Sequence, residues 1–279
     1  MSEQPIIAIM YDFDRTLCTK DMQAYSFIPS IGMTESEFWE FANTFGAREH
    51  MDSILAYMYA MVKISQDKGM PLKRHQLVNM GKNVEFFSGV EGWFERINEF
   101  GRQNGAQIEH YVISSGMKEI IEGTSISDSF KSIFACEFLY DESGNAVWPK
   151  TDVNYTNKTQ FVYRINKGVL DVANDNDLNR SMPDDSKRVP FCNMIYIGDG
   201  LSDVPCMKMM KAYGGYSIAV YQNREKVESL LSRDRVDFIY PADYREGEGL
   251  DTTVKNIIKK MTISDILYNE NSMQKKDCE

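Results

Sequence analysis

No apolar run in this chain reaches the roughly 18 residues needed to span a bilayer, and its first residues lack a basic segment leading into a long apolar stretch. Membrane insertion and secretion are therefore not indicated, and a cytoplasmic location is the default expectation. Cysteine is sparse: Cys18, Cys136, Cys192, Cys206 and Cys278 are odd in number, scattered and free of any C-x-x-C pair. That pattern argues against a disulfide framework and against a structural zinc site. Basic clusters are missing too. The net charge is −10 and the pI is near 5, so an extended nucleic-acid surface is not expected. An acidic balance still permits an anionic substrate, because a site needs only local positive charge.

What is present is an ordinary globular composition, 43% hydrophobic and 26% charged over 279 residues, enough for one generous domain or two modest ones. The most informative stretch is Ile6-Ile7-Ala8-Ile9-Met10-Tyr11-Asp12-Phe13-Asp14-Arg15-Thr16-Leu17. It reads as a strand buried on both faces that delivers Asp12 and Asp14 to its C-terminal end, where ligands of open α/β sheets bind. Taken alone, the same two acids could equally cap a turn and the next helix.

After Leu17 the composition changes for about seventy residues: Phe, Trp, Met and Tyr recur three and four apart, with no strand pattern. Thr34-Glu35-Ser36-Glu37 is a capping box opening one helix, 51–64 repeats the period, and 72–80 follows Pro71 as another. A stripe such as Ile54, Met58, Met61 and Val62 reads as core. The segment is expected to be an all-helical insertion.

A helix over 89–103 comes next, then a strand over 108–113 ending in Ser114-Ser115-Gly116, read as a turn into a helix beginning near Met117. Free amides and the helix dipole there would make an anion cradle. Apolar stretches at 134–140 and 146–148 flank the hairpin signal Asp141-Glu142-Ser143-Gly144-Asn145. Lys158 opens the helical pattern 159–169 and by itself reads as a solvated helix-start lysine, while 174–187 reads as a polar surface loop. A strand over 194–197 runs into Gly198-Asp199-Gly200-Leu201-Ser202-Asp203 and a helix over 204–211, so carboxylates again stand at a strand's end. Strands at 216–220 and 238–240, with helices at 224–231 and 252–260, continue an α/β alternation, and 271–279 reads as a frayed tail.

Four strand-end signals in this order resemble the haloacid dehalogenase superfamily, specifically its aspartate-nucleophile phosphatases. Asp12-Phe13-Asp14-Arg15-Thr16 matches the motif D-x-D-x-T, Val112-Ile113-Ser114 the strand ending in Ser or Thr, Lys158 the isolated lysine, and Gly198, Asp199 and Asp203 the motif G-D-x-x-x-D. The resemblance covers residues 6 to about 240. It implies a doubly wound, mostly parallel α/β sheet with a Rossmann-like core built from 1–18 and 88–270. A small all-helical cap domain, 19–87, would be inserted after the first strand, as in members similar to phosphoserine phosphatase.

The implied activity is hydrolysis of a small phosphorylated metabolite through an aspartyl-phosphate, with Mg²⁺ as cofactor. Asp12 would be the nucleophile and Asp14 the acid and base. Ser114 and Ser115 would bind the phosphoryl group, and Lys158 would offset charge repulsion. A carboxylate oxygen of Asp12, the main-chain carbonyl of Asp14 and the side chain of Asp199 would hold the metal, with Asp203 as an outer ligand or behind it. A phosphotransferase or phosphomutase using the same intermediate is the neighbouring alternative, and a non-catalytic phospholigand-binding protein is a third reading. Ser115, where the phosphoserine phosphatase pattern has glycine, leaves the substrate open, as does the long polar segment after Lys158. Among the insertion's polar residues, Asp21, Arg48, His50 and Lys63 are expected to be mostly solvated.

Overall fold

The computed structural model describes residues 4–183 and 186–277. Seven strands form one sheet: β1 (Ile6–Tyr11), β2 (Gln107–Met117), β3 (Ser132–Tyr140), β4 (Ala146–Thr151), β5 (Met194–Gly198), β6 (Tyr216–Tyr221) and β7 (Phe238–Pro241). Their spatial order is β4-β3-β2-β1-β5-β6-β7. Every neighbouring pair is parallel except the hairpin β3–β4. The chain thus leaves β1 toward β2 on one side and returns to β5 on the other, which makes the crevice beyond β1, β2 and β5 the topological switch point, where doubly wound sheets bind ligands.

The helices follow in chain order. Those between β1 and β2 are α1 (Phe27–Ser30), α2 (Glu35–Glu49), α3 (Ser53–Asp67), α4 (Arg74–Met80) and α5 (Val90–Gln103). After β2 come α6 (Lys118–Glu122), α7 (Lys158–Lys167), α8 (Asp175–Asn179), α9 (Val204–Ala212), α10 (Glu225–Ser232) and α11 (Gly249–Asp277). The expected capping box opens α2: the Glu37 amide donates to Thr34 Oγ1, and the Thr34 amide to Glu37 Oε2. No described helix is long and apolar enough to cross a membrane. Cys18, Cys136, Cys192 and Cys206 are free thiols.

β1 is buried along its length because both faces carry helices. Its last residue is pinned from two directions: the Trp93 indole of α5 donates to the Tyr11 hydroxyl at 2.8 Å, and that hydroxyl meets His110 Nδ1 of β2 at 3.0 Å. The helical insertion is joined to the sheet at a tight seam. A Cβ at Gly81, just past α4, would lie 2.2 Å from the Ile120 carbonyl oxygen, and one at Gly123, just past α6, would lie 1.7 Å from that of Val78. The Ala146 amide of the hairpin also donates to the Leu72 carbonyl.

Three expectations are corrected. The strand before Ser114 does not turn there: β2 stays extended to Met117, and α6 is a single short turn after it. The polar stretch from 174 contains α8 and is tied inward by the buried Arg164, which donates to the carbonyls of Asp171 and Val172 and to the Asp175 carboxylate. The tail expected from 271 is helical through Asp277, the last described residue, as the end of α11.

Trp93 is wholly buried and bridges α5 to β1, whereas Trp148 is 69% exposed. Trp93→Ala is therefore expected to lower unfolding free energy by about 3–5 kcal/mol through the cavity and the lost bond. Trp148→Ala should change it by less than about 0.5 kcal/mol. Urea denaturation of the two variants measures the contrast.

Candidate active site

Strand register builds the site. Tyr11 is level with Ile197 of β5 and with Val112 of β2, and the Asp12 amide donates to the Ile197 carbonyl at 2.9 Å. The residues at these strand ends, Asp12 and Asp14 after β1, Ser114 and Ser115 late in β2, and Asp199 after β5, therefore stand side by side. All five line one cavity of about 360 Å³, together with Lys158. The sequence-derived residues thus converge, with Asp203 just beneath.

Lys158, the first residue of α7, is not solvated but 1% exposed. Its Nζ donates to Asp12 Oδ1 at 3.0 Å and to Asp203 Oδ1 at 2.8 Å. Burial alone would lower the ammonium's pKa, but the charges of Asp12 and Asp203 outweigh it and hold the group above its usual range. Asp203 is fully buried. Oδ1 also accepts from the Tyr196 hydroxyl at 2.7 Å, and Oδ2 from the Gly200 amide at 3.3 Å. A Cβ on Gly198 would come within 2.4 Å of Asp203 Oδ2, so only glycine lets this carboxylate lie under the strand end.

Asp12, Asp199 and Asp203 each offer a carboxylate oxygen within 4.8 Å of the others. Burial raises the Asp12 carboxyl to about 6, with the Lys158 charge opposing and the Asp203 charge adding. Burial, then the charges of Asp12 and Asp203, lift Asp199 to about 8. Three acids facing one lysine are short of positive charge, which is the donor set a hard divalent cation fits. Asp12 and Asp199 have the freer oxygens for it, whereas Asp203 is engaged by Lys158, Tyr196 and Gly200.

Asp14 is held apart from this cluster. Its Oδ1 accepts from the Met22 amide at 2.8 Å and from Cys18 Sγ at 3.6 Å. Its Oδ2 lies where a Cβ on Gly116 would come within 3.0 Å. Withdrawal from water, then the charges of Asp21 and Asp12, keep the carboxyl well above its usual range. Arg15, in left-handed backbone at φ 57, turns to Asp21 in a two-pronged pair at 2.9 Å per bond.

The β2–β3 register shifts between Ile113 and Met117, which releases Ser114 to Gly116 from strict pairing. Ser114 Oγ accepts from the Gly116 amide at 3.0 Å, leaving its O–H to donate. The buried Ser115 Oγ has no partner among the described residues, while its carbonyl accepts from the Tyr57 hydroxyl at 2.6 Å. The anion cradle read from the sequence is thus a strand irregularity rather than a helix N-terminus.

Sequence reasoning missed Tyr196, which reads as one more apolar strand residue, and most of the insertion residues that reach the site, although the insertion itself was expected to carry specificity. Gln23, Trp39, Asn43, Ser53, Ile54 and Tyr57 form the cavity's other wall. Of the four polar residues singled out in the insertion, Asp21 lines the cavity; Arg48 and Lys63 pair with Glu49 and Asp67 on the surface, and His50 caps α2 in left-handed backbone.

In the metal-free protein, Asp12 and Asp199 titrate above their unfolded value of 3.8. These two groups hold more protons in the native state than in the unfolded chain between about pH 4 and pH 8, so their contribution to stability falls as pH rises through that window; buried His110, lowered to about 3, opposes them only below its ordinary value of 6.5. Melting temperature should drop from pH 6.5 to pH 8.5, and Mg²⁺ should raise it more at pH 8.5 than at pH 6.5. Differential scanning calorimetry with and without chelator reads both signs.

Comparison with known proteins agrees with the geometry. The haloacid dehalogenase-like hydrolase family matches residues 9–208. An uncharacterized protein of Borreliella burgdorferi is 27% identical over 273 residues, covering 88% of this chain and 94% of that one. A substrate-bound phosphoserine phosphatase shares the fold at a TM-score of 0.56 and 15% identity, over 88% of this chain and 97% of that chain. Cytosolic 5′-nucleotidase IIIB bound to cytidine does so at 0.52 and 13%, over 94% and 87%. With two hundred of its residues matched and the motif side chains gathered at the switch point of the sheet, the chain belongs to the haloacid dehalogenase-like hydrolases.

Proposed function

We propose that the protein is a Mg²⁺-dependent phosphatase that hydrolyses a small phosphomonoester through an aspartyl-phosphate at Asp12. The observation that supports this most is the buried Lys158–Asp12 pair on the floor of a cavity into which Asp14 and Asp199 also open. Solved proteins of the same fold, named a phosphoserine phosphatase and a 5′-nucleotidase, support a phosphomonoester substrate.

In the first step a carboxylate oxygen of Asp12 attacks phosphorus and the bond from phosphorus to the alcohol oxygen breaks, while Asp14 passes its proton to the departing alkoxide. In the second, water attacks the phosphoryl group, Asp14 takes the proton back, and the acyl-phosphate bond breaks to give inorganic phosphate and free Asp12. The raised pKa of Asp14 suits it to arrive protonated for the first step. Lys158 lowers the repulsion between Asp12 and an incoming dianion, and the hydroxyls of Ser114 and Ser115 can donate to phosphoryl oxygens. Asp12, Asp199 and the main-chain carbonyl of Asp14 would hold Mg²⁺, with Asp203 anchoring Lys158 behind them. Bound there, the metal supplies charge neutralisation to the phosphoryl oxygens and keeps the carboxylates ionised.

Phosphate release from 4-nitrophenyl phosphate should require Mg²⁺ and fall by about 10³-fold or more in Asp12→Asn. Asp14→Asn should lose more activity on an alkyl phosphate than on the nitrophenyl ester, whose leaving group needs little protonation. Full activity in Asp12→Asn, or no release by the wild type across a broad panel of phosphomonoesters, would refute the assignment.

A further inference from the structure

The wall of the cavity contributed by the helical insertion carries two polar atoms with no partner among the described residues. Gln23, in the turn after the first motif, is 2% exposed, lines the cavity, and has no partner for Oε1. Trp39 of α2 also lines the cavity, and its buried Nε1–H donor is unpartnered. Buried polar groups are normally satisfied within the protein, and the exceptions need an explanation. Here one side chain wants an acceptor and the other, an amide, wants a complement to its oxygen. A hydroxyl group answers both, since it donates and accepts.

The same wall is uncharged: Gln23, Trp39, Asn43, Ser53, Ile54 and Tyr57 carry no ionisable group that is charged at neutral pH. The lining charges outside the catalytic set are Arg15 and Asp21, and these are spent on each other through two 2.9 Å bonds. An alcohol bearing an ammonium and a carboxylate, as a phosphorylated amino acid does, would have to break that pair to be recognised. The surface is also aromatic, and the two rings meet at a corner. Trp39 and Tyr57 pack edge to face with centroids 5.8 Å apart, and the Tyr57 hydroxyl is already committed to the Ser115 carbonyl, so Tyr57 offers its ring. Small-molecule sites combine such apolar walls with a few polar groups that fix orientation, in volumes from about 300 Å³ upward. At about 360 Å³ the cavity has room for a phosphoryl group and a small ring.

We infer that the insertion selects a phosphomonoester whose alcohol is an uncharged, hydroxylated ring, seated in the corner between Trp39 and Tyr57 with its hydroxyls on Gln23 Oε1 and Trp39 Nε1. The inference rests on the phosphatase reading for the chemistry and names the substrate class and its specificity-determining residues. A free sugar phosphate and the ribose of a nucleotide present the same chemistry, and the test separates them.

The experiment measures kcat/KM of the Mg²⁺-loaded protein for ribose 5-phosphate, a hexose 6-phosphate, a nucleoside 5′-monophosphate and phospho-L-serine. At least one ring phosphate should exceed phospho-L-serine by about tenfold or more, and its identity names the source of the ring. Trp39→Phe and Gln23→Met should each shrink that ratio by about 10- to 100-fold, chiefly through KM. A merely structural role would instead move all four substrates together. Equal or better use of phospho-L-serine overturns the inference while leaving phosphatase activity standing, and so does an unchanged ratio in folded variants. If no phosphate is released from any substrate, the phosphatase reading fails. Calorimetric titration of Asp12→Asn with the same four compounds then decides selection alone: tighter binding of a ring phosphate supports it, and no preference overturns it.

Discussion

The ammonium of Lys158 has almost no contact with water and is held by the carboxylates of Asp12 and Asp203. A buried charge of this kind is tolerable only while its partners stay in place, because removing one leaves an uncompensated ion in a medium that solvates it poorly. The pair therefore sets demands on distant parts of the chain. β1 must lie beside β5 so that Asp12 and Asp203 reach the same point, and α7 must begin where its first side chain enters from the other side. Tyr196 fixes Asp203 from within β5, and the absence of a Cβ at Gly198 gives that carboxylate its space.

Four aspartates at the C-terminal ends of two neighbouring strands would be unfavourable if they were equivalent. Their surroundings make them different. Asp203 is saturated by protein donors, Asp12 shares one oxygen with a lysine, Asp199 has no donor comparable to either, and Asp14 sits apart on an amide and a thiol. Acids placed in such different surroundings suit a reaction that needs separate nucleophile, acid and metal-binding groups, as in the mechanism proposed above. The excess negative charge is local to the site, and a divalent cation held there would offset it.

Much of this was legible before the structure. β1 and β5 are near-continuous apolar runs that break into acids, and a doubly wound sheet turns such breaks into one site. The hairpin was visible in its turn residues, and α2 in its capping box. Lys158 was recognisable only by family resemblance, since nothing local says whether the first residue of a helix points to solvent or inward. The irregularity at Ser114 to Gly116 was read as a helix start because serine and glycine serve both, and only the pairing with β3 separates the two. Gln23, Trp39 and Tyr57 were invisible as site residues, because a helical stripe of aromatics looks the same whether it packs on protein or on a ligand. The end of α11 was missed because its polar composition matches a tail as well as a solvated helix.

The glycine seam between the insertion and the sheet bears on how sequences of this architecture can drift. At Gly81 and Gly123 the obstacle to a side chain is the main chain of the opposing segment, not another side chain. A neighbouring residue can shrink to accommodate a larger partner, but a carbonyl cannot be mutated away. Neither position can therefore be rescued by a second substitution nearby, and a change at either would require the two segments to part. Side chains that line the cavity face space rather than opposing main chain and are under no such bar, while the joint that holds their helices over the carboxylates stays fixed.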